Sequence, residues 1–156
     1  MQLVIDANIL LSAFLKEALT REFLLDSRLD LVAPEYLLSE TLRHLRGASS
    51  IRKRIGLSPD RIEELFLLLT QRIRVFPVTS YQSVIAQALT LAPHLEDAPY
   101  LALALILKAA VWSNDKGMKK QTAITIYSTT ELLALLRLNR ESLSTLIPLG
   151  VKGVRK

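Results

Sequence analysis

The chain has 156 residues, half of them hydrophobic, and a net charge of +5 from 20 Lys and Arg against 15 Asp and Glu. That length allows one domain with a substantial core and is too short for two ordinary domains. Cysteine is absent and histidine occurs twice, which excludes disulfides, thiolate metal sites and a histidine-rich zinc site, whereas the positive charge is compatible with a polyanionic partner.

Short apolar runs alternate along the chain with longer helical patterns, an order typical of a parallel α/β sheet. Most of these runs are apolar without alternation, as expected when helices cover both faces of the sheet. Strands are predicted over 2–5, 29–33, 74–78, 109–113 and 124–127.

Helix-start and helix-stop signals lie between these strands. Ser58 followed by Pro59 predicts the N-cap and first turn of a helix that runs to about Arg72. Ser128, with Glu131 three residues later, is a candidate capping box for a helix over 129–138. Further helices, several ended by Gly or Pro, are predicted over 8–15, 21–26, 35–46, 82–91 and 96–108.

The chain is predicted to form one domain over 1–148, followed by a basic C-terminal tail over 149–156. It contains no internal repeat, low-complexity tract or linker. The N-terminus lacks the pattern of a signal peptide, and the apolar run over 101–110 is too short to span a membrane and contains Lys108. A cytoplasmic protein without membrane association is therefore expected.

Four carboxylates are predicted to meet at one edge of the sheet: Asp6, Glu40, Asp97 and Asp115. Asp6 and Asp115 follow predicted strands, and ligands of open α/β sheets bind beyond the carboxyl ends of the strands. Clustered carboxylates repel each other unless a cation lies among them. Because only oxygen ligands are offered, that cation would be Mg²⁺ or Mn²⁺.

Taken singly, most of these acids have an ordinary structural explanation. Asp97 could be a first-turn helix charge, and Asp115 a turn former in the segment 114–117. Asp6 is different, because a charge directly after a buried strand is costly unless it is paired or metal-bound.

The same residues carry a resemblance to a known family. Four segments resemble the PIN domain, in order and spacing over nearly the whole chain: Val4-Ile5-Asp6-Ala7-Asn8, Ser39-Glu40, Glu96-Asp97-Ala98-Pro99-Tyr100-Leu101-Ala102-Leu103-Ala104 and Trp112-Ser113-Asn114-Asp115-Lys116. The most specific parts are the opening Asp-Ala-Asn and the pairing of Asp-Ala-x-x-Leu-Ala-x-Ala with a later Ser-x-Asp. Glu40 is the least specific match.

The resemblance implies a three-layer α/β/α fold around a parallel sheet of about four to five strands. It also implies RNA cleavage with Mg²⁺ or Mn²⁺ held by Asp6, Glu40, Asp97 and Asp115. Many small prokaryotic members are toxin ribonucleases of the VapC type, which implies an antitoxin partner. Positions 116–118 lack the further acid of some members, so a second metal ion would be held weakly or with help from the substrate.

Other polar residues receive supporting roles in this interpretation. Ser113 corresponds to a polar position of the family and is predicted to hydrogen-bond a metal-binding carboxylate, and Asn8 lies at a position that is often polar. Arg43 and Lys116 are the first candidates for holding RNA phosphates, although ordinary solvated charges are the alternative. Tyr100 is predicted to pack in the core rather than to stack on bases.

The predicted activity is that of a metal-dependent ribonuclease, in particular an endoribonuclease. The alternative within the family is a catalytically silent RNA- or protein-binding module. A haloacid-dehalogenase-type phosphatase would need an aspartate at the position of Asn8, and a nucleotide-binding domain would need a glycine cluster that the five glycines do not form. The leucine-rich run 65–69 predicts either an enclosed helix or a partner-binding face, which would be used in a homodimer or by an antitoxin.

Overall fold

The computed structural model describes residues 1–15, 17–47 and 49–146. The predicted tail over 149–156 and the end of the predicted domain lie outside these residues. Within the described part, five strands form one sheet: β1 (Gln2–Ile5), β2 (Asp30–Pro34), β3 (Arg74–Phe76), β4 (Ala110–Trp112) and β5 (Ile126–Tyr127). Their order is β3-β2-β1-β4-β5 and every pairing is parallel, with Val4 opposite Val32 on one side and Val111 on the other.

Eight α-helices in the described part connect and cover these strands, giving the predicted three-layer α/β/α fold. They are α1 (Ala7–Phe14), α2 (Ala18–Leu24), α3 (Tyr36–Gly47), α4 (Ser49–Ile55), α5 (Pro59–Thr70), α6 (Ile85–Leu91), α7 (Ala98–Leu107) and α8 (Thr129–Leu146). None of the described helices is both long enough and apolar enough to cross a membrane.

The predicted strands are confirmed: β1 has the predicted bounds, and the bounds of the other four differ by one or two residues. The run over 74–78 ends as a strand at Phe76, because Pro77 has no N–H to donate to the neighbouring strand. The predicted helices over 82–91 and 96–108 are each split: a 3-10 turn, Gln82–Val84 or Leu95–Asp97, precedes the α-helix.

Two helices correct the predictions. Helix α4 was not predicted, since its sequence offers only Ile51 and Ile55, one turn apart, as an apolar face beside a basic run. Helix α8 runs to Leu146 rather than to residue 138, since no Gly or Pro interrupts residues 139–146.

The predicted N-caps are present at two helices. The Arg61 N–H donates to Ser58 Oγ over 3.4 Å at the start of α5. At α8, the Glu131 N–H donates to Ser128 Oγ and the Ser128 N–H donates to Glu131 Oε1, both over 3.2 Å, which is a reciprocal capping box. These caps fix where the two helices begin.

The centre of the core lies around β1. Leu3, Val4 and Ile5 are fully buried, because β1 has a neighbouring strand on each side and helices on both faces. Helix α7, whose residues Tyr100–Ala104 are all buried, contacts β1, β2 and β4. The carboxyl end of β1 is thereby held in a fixed place beside the N-terminus of α7.

Candidate active site

The strand order of the sheet reverses between β1 and β4. The chain builds β2 and β3 on one side of β1 and then crosses to place β4 and β5 on the other side. In open α/β sheets such a switch point leaves a crevice beyond the carboxyl ends of the two central strands. Asp6 directly follows β1, and its backbone N–H donates to the carbonyl of Trp112 in β4 over 3.1 Å.

A cavity of about 290 Å³ opens at this switch point. The structure brings all four predicted carboxylates to its wall. Its lining residues are Asp6, Ala7, Asn8, Leu11, Tyr36, Glu40, His44, His94, Glu96, Asp97, Tyr100 and Asp115. Of the other predicted site residues, Asn8 lines the cavity, whereas Ser113, Arg43 and Lys116 lie outside its wall.

Asp6 is the most enclosed of the four acids, with 4% of its surface exposed. Ser113 Oγ, itself fully buried, donates to Asp6 Oδ2 over 2.7 Å, and the Asn8 N–H donates to Asp6 Oδ1 over 3.4 Å at the start of α1. Burial raises the pKa of Asp6 above its ordinary value; these hydrogen bonds oppose the rise, and the charge of Asp115 adds to it.

Ser113 also connects Asp6 to Asp115. The Asp115 N–H donates to Ser113 Oγ over 3.1 Å, and the Gly117 N–H donates to Asp115 Oδ1 over 2.8 Å. A Cβ atom at Gly117 would lie 3.2 Å from Asp115 Oδ1 and 3.3 Å from the Pro93 ring, which is closer than side chains normally pack. The loop after β4 therefore holds the Asp115 carboxylate through backbone contacts.

Asp97 reaches the cavity from the N-terminus of α7, and 15% of its side chain is exposed. Burial raises its pKa, and the charges of Asp6 and Asp115 raise it further, whereas His94 lowers it. The His94 Nδ1 atom lies 3.9 Å from Asp97 Oδ2. Asp6, Asp97 and Asp115 are thus close enough for their charges to repel one another.

Glu40 has a different environment, although 14% of its side chain is exposed, much as for Asp97. Its Oε1 atom accepts from the Arg43 guanidinium over 2.6 Å and lies 3.1 Å from His44 Nε2. A hydrogen bond from Tyr36, followed by the contacts with Arg43 and the charge of His44, lowers the pKa of Glu40. Its charge is therefore balanced within its own helix, and Arg43 already has a carboxylate partner.

The profile of the PIN domain matches residues 4–137 of the chain. The chain belongs to the PIN-domain family. PIN domains are generally nucleases, and the match covers every residue of the cavity wall. No curated protein matches the chain.

Several residues that line the cavity of this PIN domain were not predicted as site residues. Tyr36, His94 and Glu96 were not singled out for the site, and Tyr100 was expected in the core, where it is indeed buried while also lining the cavity. The place of Tyr36 could have been predicted from helical spacing, because it precedes Glu40 by four residues and so lies on the same helix face.

PIN nucleases typically use divalent metal ions, and the donors around this cavity fit one. The carboxylates offer the oxygen ligands that hard cations prefer, and the pKa values of Asp6 and Asp97 are raised first by burial and then by the neighbouring acidic charges. Among the described residues, no three acidic or histidine side chains are already grouped closely enough to hold a metal ion. Direct coordination by three of these side chains would therefore require them to move closer together, whereas binding through water would not.

Proposed function

We propose that this PIN domain is a cytoplasmic, Mg²⁺- or Mn²⁺-dependent endoribonuclease that hydrolyses phosphodiester bonds of RNA. The observation that carries the proposal is the set of four carboxylates around one cavity at the switch point of the sheet, three of which repel one another. Such a set is costly in a folded protein unless a cation neutralises it.

Asp6, Asp97 and Asp115 would hold the metal ion, directly or through water, and Glu40 completes that shell or orients the attacking water. When bound, a divalent cation makes water nucleophilic and stabilises negative charge on the phosphoryl oxygens. Ser113 fixes the orientation of Asp6 through its 2.7 Å hydrogen bond and that of the Asp115 backbone through its 3.1 Å contact.

RNA as the substrate follows from the family resemblance and from the net charge of +5. Lys116 is exposed directly beside Asp115, and Arg43 is 72% exposed at its side chain while it contacts Glu40. Both are therefore proposed to contact phosphates of a strand that enters the cavity. Because the Arg43 guanidinium already contacts Glu40, it would also reduce the repulsion between that carboxylate and an approaching phosphate.

The decisive experiment is Mn²⁺-dependent cleavage of a mixed RNA pool by the wild type, by Asp6→Asn and by Asp60→Asn. Asp60 is an exposed aspartate in the first turn of α5 and does not line the cavity, so its variant is the matched control. We expect cleavage by the wild type and the control and none by Asp6→Asn. Equal cleavage by all three, or RNA binding without cleavage at any Mn²⁺ concentration, would contradict a nuclease and favour a silent binding module.

We further propose that the protein is the toxin of a toxin–antitoxin pair, a role that follows from the resemblance. A partner surface is offered by α5, where the side chains of Leu67 and Leu68 are 70% and 50% exposed, and we propose that an antitoxin or a second copy of the chain covers it. Expression of the protein in several hosts tests the toxin role. If the protein is an active nuclease and the host cells grow normally, the toxin role is contradicted.

A further inference from the structure

The hydroxyl of Tyr100 is buried at the cavity and has no hydrogen-bond partner in the part of the chain that the structure describes. The residue is 3% exposed and lines the cavity, yet its hydroxyl oxygen meets neither solvent nor a donor or acceptor among the described residues. An unpaired buried hydroxyl costs stability, and such groups in native proteins call for an explanation.

The surroundings of this hydroxyl are acidic. Tyr100 follows Asp97 by three residues at the start of α7 and shares the cavity wall with Asp6 and Glu40. Burial raises the pKa of Tyr100, and the charges of Asp6, Tyr36, Glu40 and Asp97 raise it further. The hydroxyl therefore keeps its proton and can only be a donor to the carboxylates around it.

We propose that Tyr100 is a positioning residue whose hydroxyl donates a hydrogen bond to Asp6 when the cavity carboxylates converge around a divalent cation. Asp6 accepts from Ser113 and Asn8, and a carboxylate has room for further donors. No three acidic or histidine side chains among the described residues are grouped closely enough to hold the cation directly, so direct binding would move these acceptors within the cavity. This inference rests on the metal site of the proposed function.

The resting and metal-bound proteins should then respond differently to loss of the hydroxyl. In the resting protein the hydroxyl makes no hydrogen bond to a described residue, so Tyr100→Phe should remove no hydrogen bond and should eliminate an unpaired polar atom. In the metal-bound protein the same substitution removes a partner of a metal-binding carboxylate. Loss of such partners typically lowers metal affinity about 10–100-fold.

The test is Mn²⁺ binding by titration calorimetry, together with thermal unfolding in EDTA, for the wild type, Tyr100→Phe and Tyr81→Phe. Tyr81 is 4% exposed as a residue and lies outside the cavity wall, so its variant controls for the change of a buried tyrosine to phenylalanine. We expect Tyr100→Phe to raise the Kd for Mn²⁺ about tenfold or more, with an unfolding temperature in EDTA equal to or above that of the wild type. The control should bind Mn²⁺ as the wild type does.

The remaining outcomes overturn the inference in distinguishable ways. If the wild type binds Mn²⁺ and Tyr100→Phe binds it equally well, the role of Tyr100 is refuted and the proposed function stands. A lower unfolding temperature of Tyr100→Phe in EDTA would show that the hydroxyl has a partner in the resting protein, which also refutes it. If the wild type binds no divalent cation, the proposed function and this inference are refuted together.

Discussion

We expect Asp6→Asn to stabilise the metal-free protein at pH 7, although it removes a residue proposed to be essential for cleavage. Asp6 is 4% exposed, and desolvation together with the charge of Asp115 outweighs its hydrogen bonds, so that its pKa is raised. The ionised carboxylate therefore opposes folding. Asparagine has nearly the same shape, carries no charge and is an equally good N-cap for α1.

The magnitude follows from linkage. Each unit by which folding raises a pKa corresponds to about 1.4 kcal/mol, and relief of one unfavourable active-site group commonly gives about 0.5–2 kcal/mol. For a chain of this length, about 1 kcal/mol raises the unfolding temperature by about 2–4 °C, so we expect a gain of about 1–8 °C.

The pH dependence gives a second, independent signature. A carboxyl whose pKa is raised by folding contributes its stability below its unfolded pKa and loses it as the pH rises through its folded pKa. At neutral pH the ionised Asp6 should therefore lower the free energy of unfolding of the wild type. At about pH 3 the carboxyl is protonated in both the folded and the unfolded state, so this effect should be absent. The advantage of Asp6→Asn should accordingly be present at pH 7 and nearly absent at about pH 3.

Urea unfolding in EDTA at both pH values measures this difference, because the chelator removes any cation that would stabilise only the wild type. The Asp60→Asn variant again serves as the control, since Asp60 is exposed. Two results would refute the reasoning: a less stable Asp6→Asn at pH 7, or a gain of equal size at both pH values.

Two further predictions concern the surroundings of the acids. Ser113→Ala removes the 2.7 Å hydrogen bond to Asp6 and should therefore raise the pKa of Asp6 further. We also expect the affinity for Mn²⁺, measured by calorimetry, to fall about 10–100-fold. An unchanged affinity would contradict the role of Ser113. Arg43→Gln and Lys116→Gln, each made in the Asp6→Asn background to prevent cleavage, should weaken binding of RNA of any sequence and reduce the salt dependence of log K by about one per cation. Fluorescence anisotropy at increasing salt measures that slope, and an unchanged slope would show that the mutated cation does not contact phosphate.

Local signals made much of the fold predictable. Ser58 and the pair Ser128 and Glu131 marked helix starts correctly, because a cap acts through backbone groups within three residues of it. Helix α4 was missed because tertiary contacts bury Ile55 and partly bury Ile51, and no local pattern indicates those contacts. The consecutive leucines of α5 were ambiguous for a related reason: adjacent helical residues point to different sides, so Phe66 and Leu69 are buried while Leu67 and Leu68 are exposed.

In the candidate site, too, some features could be predicted from the sequence and others could not. The places of Asp6 and Asp115 follow from the ends of β1 and β4, whereas Glu40 came mainly from the resemblance. The 2.7 Å contact between Ser113 and Asp6 matches the predicted hydrogen bond to a carboxylate, although its role in metal binding stays a prediction. The unpaired hydroxyl of Tyr100 could not be predicted, since an apolar run places a tyrosine in the core without showing which acceptors its hydroxyl meets.

The pairing of β1 with β4 also determines when, during its own synthesis, the protein can acquire a complete site. Asp6 leaves the ribosome well before Ser113, its hydrogen-bond donor, which follows it by 107 positions. Until β4 and the loop carrying Asp115 have emerged, β1 lacks one neighbouring strand and the cavity lacks one wall. A nascent chain, or a fragment truncated before β4, therefore has no assembled carboxylate cluster, and the complete site cannot form until the segment that carries Asp115 has been translated.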